Sequence, residues 1–249
     1  MSTHTATAAP AAPATLARAT PPRARRMVDA PTRVFHWLFA LSFLGAYLSA
    51  EGEHWRLLHV TLGYTMGGLL AFRVLYGIWG PPQARLALMG RKLSPAREWL
   101  KTLKTNLTSG SLASINWRQG QNLLMALAVA ALLVLVLPLT LSGYASYNYW
   151  GDFLGGDWVS EVHEVVGETF LFVVLAHLAL IFGLSFMRKK NLVQPMLTGQ
   201  TPGPGPDLAK KNYRLLAGLL LAAVLAYWAW EWQQSPNGLI PGVVLSLAA

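Results

Sequence analysis

The sequence predicts an all-α integral membrane protein. Three observations carry this. Of 249 residues, 53% are hydrophobic and only 12% are charged, about half the roughly 25% charged residues of a soluble domain. Five apolar stretches each offer about the 20 residues that a bilayer-spanning helix needs. Aromatic residues crowd the ends of these stretches, among them Trp79, Tyr144, Trp150, Trp228 and Trp232, as an interfacial belt requires. An ordinary soluble globule is excluded.

The elements follow in order. Residues 1–26 are rich in Ala, Thr and Pro, carry Arg18, Arg23, Arg25 and Arg26, and lack an apolar run of signal-peptide type. They are predicted to form a disordered cytoplasmic tail. Spans are predicted at about residues 32–50, 57–79, 122–144, 162–187 and 213–232. Inside the long loop between the second and third spans, Ser94 and Pro95 resemble an N-cap followed by proline at the first helical position. They predict an amphipathic surface helix to about Lys104, with Trp99, Leu100 and Leu103 on one face. The last stretch, residues 237–249, is apolar but interrupted by Pro241 and too short to cross. It is expected to lie on the surface or to pack loosely.

Charge sets the orientation. Five basic residues fall in the tail up to Arg33, seven between Arg85 and Arg118, and six between Arg188 and Arg214; only Arg56 and Arg73 fall elsewhere. Alternating spans put all three groups on one side. The opposite side holds Glu51, Glu53, Asp152, Asp157 and Glu161. The positive-inside rule then predicts a cytoplasmic N-terminus and an external C-terminus. The same division removes nucleic acid as a partner, because the basic residues are topology signals and contacts for anionic membrane lipid.

The chain has no cysteine. That excludes a disulfide framework, thiolate-bound zinc, iron–sulfur clusters and thioether-attached haem. Four histidines nevertheless stand in the apolar spans: His36, His59, His163 and His177. Ionisable residues there are costly and usually functional. His163 and His177 share one span. Their separation of fourteen residues brings both imidazoles to one face, about 21 Å apart. Two ligands of one metal cannot lie so far apart, so each needs a partner at its own depth. Alternation matches His36 with His177 on the inner side, and His59 with His163 on the outer side.

Two imidazoles make a poor closed zinc site, which wants four ligands. They suffice for haem, whose porphyrin supplies the other four. The residues therefore predict two non-covalent, bis-histidine b haems stacked across the membrane. Gly63 and Gly167 follow His59 and His163 by one turn and suit close approach of a flat ring. Gly63 and Gly67 also form a GxxxG pair of the kind that supports a homodimer. Arg73, fourteen residues after His59, reaches the depth of the inner haem and, with Arg33 one turn before His36, is assigned to its propionates. Arg56, one turn before His59, is assigned to those of the outer haem. Glu168, inside the fourth span, is a candidate proton relay, and His54 a candidate for a proton or quinone role.

At these residues the chain resembles a known family. The run VDAPTRVFHW, which ends at His36 and Trp37, is similar to the opening of the bacterial di-haem cytochrome b561 family, which includes the cytochrome b subunit of nickel–iron hydrogenases. WRLLH at His59, LGY at residues 62–64, FR at Arg73, GIWGP at residues 77–81, HEVVG from His163, AH at His177 and NLVQPMLTG at residues 191–199 continue it. The resemblance covers about residues 27–200. It implies a four-helix transmembrane bundle binding two b haems, with the histidine pairing that depth predicts. It also implies electron transfer across the inner membrane between the quinone pool and a periplasmic redox partner, a c-type cytochrome or a hydrogenase-like enzyme subunit. The chain is then an electron-transfer component of a quinone-linked system. Residues 201–249 add a linker, a fifth transmembrane helix and a short tail. Two other readings stay open at this point: a haem or metal transporter, or a membrane anchor whose haems are structural.

Overall fold

A computed structural model describes residues 24–154, 156–235 and 239. Apart from Leu239, which is buried, the expected surface segment at 237–249 lies outside the described residues, as does most of the N-terminal tail. The first ordered element is β1, Ala24–Arg26, which pairs antiparallel with β2, Gln200–Pro202. These three residues correct the predicted boundary of the disordered tail. Pairing with β2, together with an Arg26 amide donating to Asp207 Oδ1 at 2.7 Å, orders them.

Helix α1 runs over Ala30–Leu48. Asp29 caps it by accepting the Thr32 amide at 3.1 Å, and Pro31 stands in its first turn. A turn through Gly52, with φ 111°, and a short 3-10 turn lead into α2, Arg56–Trp79. Two helices then fill the basic loop, α3 at Leu86–Leu93 and α4 at Ala96–Thr108. The predicted surface helix corresponds to α4, but Ser94 does not cap it. Ser94 closes α3 instead, its hydroxyl donating to the Arg91 carbonyl at 3.0 Å. Trp99 of α4 donates its indole N–H to the Asn116 carbonyl at 3.0 Å and covers Gly120. The loop is thereby fastened to the next span.

That span is α5, Trp117–Tyr147, followed by a short α6, Trp150–Leu154, and by α7, Trp158–Arg188. Both long helices have 31 residues and extend beyond their predicted apolar limits. A short α8, Gln194–Thr198, precedes β2, and α9, Arg214–Gln234, completes the described chain. Among the described residues, four helical stretches are long and apolar enough to cross a membrane: Glu53–Trp79, Trp117–Tyr147, Trp158–Arg188 and Arg214–Gln234. Helix α1 forms where the first span is predicted but falls below that criterion. Arg33 and His36 in its first two turns lower its apolar character.

Packing draws these helices into one bundle. Met66 of α2, Val136 and Leu139 of α5 and Phe170 of α7 form a buried cluster, with Phe39 and Phe43 of α1 against it. A second cluster joins Phe35 of α1, Leu69 of α2 and Val224 of α9. Helix α9 therefore lies outside the four-helix core, on the α1–α2 side. Trp228 ties it there by donating to Thr65 Oγ1 at 2.8 Å. Large apolar side chains such as Leu44, Phe172, Phe182 and Leu219 remain exposed, as lipid-facing positions should.

Candidate functional site

The structure brings the outer histidines together. His59 lies in the first turn of α2 and His163 near the start of α7. Their ring centres are 6.0 Å apart and their planes stand at 85°. Two imidazoles that ligate one ion end-on, each about 2.0–2.1 Å away, place their ring centres about 6 Å apart. The spacing fits a shared metal.

The Nδ1 atoms are already committed. His59 Nδ1 lies 2.8 Å from the Ala46 carbonyl on α1, and His163 Nδ1 lies 3.0 Å from the Leu139 carbonyl on α5. A carbonyl only accepts, so each Nδ1 carries the proton and donates. That tautomer leaves the lone pair on Nε2, the atom a metal takes. Ser142 Oγ also lies 3.4 Å from His163 Nδ1. Gly143 lets α5 approach the ring: a Cβ there would lie 2.8 Å from His163 Cε1. Sequence reasoning missed Gly143, because it sought small residues one turn from each histidine on the same helix. Gly143 belongs to the facing helix.

The inner pair sits deeper. His36 of α1 and His177 of α7 lie within electrostatic reach of each other. Each has a buried Nδ1 with no hydrogen-bond partner. Trp37, edge-on to His36 at 5.3 Å between ring centres, donates to the Met196 carbonyl of α8 at 3.0 Å. This bond fixes the inner end of α1 against the segment that follows α7. Along α7 the two ligand positions are about 21 Å apart.

The donor set discriminates between metals. Among the described residues, no group of three or more His, Cys, Asp or Glu side chains could hold a bare ion. Two paired imidazoles at each of two depths suit an ion that brings its own equatorial ligands. The residues present would therefore fit a haem iron at each depth, with His59 and His163 the candidates to hold one and His36 and His177 the other.

The remaining candidates are placed as follows. Arg33 donates Nη1 to the Leu197 carbonyl at 2.9 Å, and its buried Nε has no partner. Arg73 donates Nη1 to the Ala84 carbonyl at 2.9 Å and lies within electrostatic reach of Asp29. Arg56 stacks its guanidinium 5.3 Å from the centre of the Tyr147 ring. Each arginine is thus engaged with protein groups. A Cβ at Gly63 would meet no atom within 4 Å, whereas one at Gly167 would touch Leu139 at 3.7 Å. An alanine at Gly167 would thus make only an ordinary contact with α5. Gly67 faces Thr140 of α5 at 3.8 Å, so half of the GxxxG pair is used within the chain. Glu168 and His54 are exposed.

One polar centre was not anticipated. Asp29 is 1% exposed. Its Oδ2 accepts the Tyr76 hydroxyl at 2.8 Å and the Gln83 amide at 3.2 Å, while Oδ1 caps α1. It locks the C-terminal end of α2 and the turn after it onto the start of α1.

The profile of the prokaryotic cytochrome b561 family matches residues 27–199. No curated protein and no solved structure matches the chain. The matched region spans α1 to α8 and includes all four histidines. The chain belongs to the prokaryotic cytochrome b561 family, and it is a transmembrane electron-transfer protein of the b-haem type.

Proposed function

We propose that this prokaryotic cytochrome b561 holds two b haems at its two histidine pairs. We further propose that it passes electrons across the inner membrane between the quinone pool and a periplasmic redox partner. The observation that carries the reading is the outer pair: two rings 6.0 Å apart, each with Nδ1 on a backbone carbonyl and Nε2 free to bind iron. The periodicity of α7 repeats such a position at the inner depth, where His177 lies within electrostatic reach of His36.

Bound haem iron supplies one-electron exchange between its ferrous and ferric states. The protein does the rest. His59 with His163, and His36 with His177, would each hold one such iron and would leave it no open site for oxygen. The carbonyls of Ala46 and Leu139 hold the outer rings in one tautomer and orientation. The clusters around Phe170 and Leu69 keep water from the space between the two depths. Arg33 and Arg73 place positive charge at the inner end, where propionates would lie, and Arg56 does so at the outer end. In this reading α1 and the four more apolar helices make five crossings. The N-terminus is cytoplasmic, and the acidic outer loops face a basic periplasmic cytochrome or enzyme subunit.

The test is a reduced-minus-oxidised absorption spectrum of the purified protein with a pyridine haemochrome assay. Two non-covalent b haems per chain with low-spin bands are expected. Purified chain without haem, after expression with adequate haem supply, would overturn the electron-transfer reading in favour of a transporter.

A further inference from the structure

The C-terminal end of α7 borders a cavity of about 460 Å³ that neither histidine pair lines. Its apolar wall is Phe182 of α7 with Val193 and Leu197, and its polar wall is Lys189, Lys190 and Asn191. Phe182 is exposed, as are Phe186 and Met187 further along α7. Apolar side chains turned outward mark lipid-facing turns. The lysines follow directly, where a span meets the lipid headgroups.

The open polar groups of this cavity are donors. The Ser185 hydroxyl donates to the Ile181 carbonyl at 2.6 Å and accepts the Leu192 amide at 3.2 Å. Asn191 Oδ1 accepts the amides of Val193 and Gln194 at 2.9 and 3.1 Å, which leaves its Nδ2 to donate. Arg188 is held by Gln121 and Asn122. Among the described residues the one ion pair joins Lys101 to Glu98, so no carboxylate neutralises Lys189 or Lys190.

The backbone of Lys189 is a second observation. Its φ is 48°, in the left-handed region. The amides of Lys189 and Lys190 close the helix on the carbonyls of Phe186 and Ser185, at 3.2 and 3.1 Å. Glycine ordinarily takes this closing position, because a side chain there is strained. The cap itself uses only backbone atoms, so it does not need the lysine side chain. Strain spent on a cation without a protein partner points to a ligand from outside the chain. The far wall is fixed in advance: the carbonyls of Leu197 and Met196 accept Arg33 Nη1 at 2.9 Å and the Trp37 indole at 3.0 Å.

We propose that this cavity binds one anionic phospholipid from the leaflet around this end of α7. The phosphodiester sits among Lys189, Lys190 and Asn191 Nδ2, and the acyl chains start along Phe182, Val193 and Leu197. Two cations and a neutral donor favour a headgroup with net negative charge. A zwitterionic headgroup brings a cation of its own against the lysines and is rejected. A second cavity, of about 390 Å³ beside Trp79 and Tyr213, has no charged side chain in its lining and lacks this preference. No bond forms or breaks, and the site stands whether or not the chain carries haem.

The experiment is native mass spectrometry of the full-length protein as purified from the membrane, titrated with phosphatidylglycerol or with phosphatidylcholine. One phosphatidylglycerol should bind ahead of any others, and phosphatidylcholine should not displace it. Lys189→Gly keeps the backbone conformation without strain, so its thermal midpoint in lipid-free detergent should equal or exceed that of the wild type. Lys189→Gly and Lys190→Gln should each weaken phosphatidylglycerol binding about fivefold, and the double variant about 25-fold. Lys104→Gln, on α4, should leave it unchanged. Equal binding of the two lipids overturns the proposal. So does wild-type affinity in both Lys189→Gly and Lys190→Gln, or an equal loss in Lys104→Gln, which would reduce the effect to general surface charge. Inorganic phosphate alone should not raise the thermal midpoint; a rise equal to that given by the lipid would make this a free-anion site instead.

Discussion

Replacing Gly143 by alanine would place a methyl group 2.8 Å from Cε1 and 3.0 Å from Nδ1 of His163. Ordinary carbon contacts begin near 3.5 Å, so the ring or the helix must give way by roughly 0.7 Å. The bond from His163 Nδ1 to the Leu139 carbonyl is 3.0 Å long. A displacement of that size along the bond carries it past hydrogen-bond range, roughly 3.6 Å. Two costs then add. Overpacking takes about 1–3 kcal/mol, and a buried N–H without its acceptor takes about 1–3 kcal/mol. Against them stands the gain from replacing glycine inside a helix, about 1 kcal/mol. The balance is a loss of about 1–5 kcal/mol, and the middle of that range, about 3 kcal/mol, corresponds to roughly 150-fold weaker haem binding at the outer site. The assay is haem per chain after purification, together with titration of haem into stripped protein. Gly183→Ala, on α7, is the control, since a Cβ there meets nothing within 4 Å. It receives the helix-forming gain without the clash and should keep both haems. A Gly143→Ala protein that binds two haems as tightly as the wild type would refute the reasoning about how α5 seats His163.

Other perturbations probe the frame around the site. Asp29→Ala removes the α1 cap and strands the Tyr76 hydroxyl and the Gln83 amide. The expected loss is about 3 kcal/mol, read as a fall in thermal midpoint of the haem-loaded protein, and an unchanged midpoint would show that the carboxylate is not a lock. Thr65→Val and Trp228→Phe each break the 2.8 Å bond between α2 and α9. Each should cost about 1 kcal/mol, and the double variant little more than either alone; full additivity would mean that the bond contributes nothing. Because the chain contains no cysteine, single cysteines report topology cleanly. On intact cells a membrane-impermeant thiol reagent should label Asp157→Cys and spare Lys104→Cys, and the opposite pattern would invert the proposed orientation.

Much of this protein is legible without tertiary structure. Span lengths, the division of charge and the same-face spacing of His163 and His177 depend on local periodicity and side-chain chemistry, which a linear chain displays directly. The depth pairing of His36 with His177, and of His59 with His163, follows from alternation of the spans. Even so, Ser94 misled, because proline after a polar residue marks a helix start in general, whereas here the preceding residues had formed a helix of their own. Ala24–Arg26 read as tail because their ordering partner, Gln200–Pro202, lies far along the chain.

Tertiary structure decided what no residue type announces. The acceptors of His59 and His163 are the backbone carbonyls of Ala46 and Leu139, 13 and 24 residues away. Every residue carries a carbonyl, so sequence cannot mark the one that a ring will meet. Gly143 matters only because α5 faces α7, and Asp29 only because folding brings Tyr76 and Gln83 to it. Helix α9 is apolar by composition, yet its place beside α1 and α2 is set by Val224 and Trp228 meeting Leu69 and Thr65. The amino-acid sequence by itself determined where the apolar helices run and at what height along them each of the four histidines stands, since those depend on composition and helical period. The folded bundle determined how each ligand is oriented and tuned, since that depends on contacts between helices that the period of one helix does not contain.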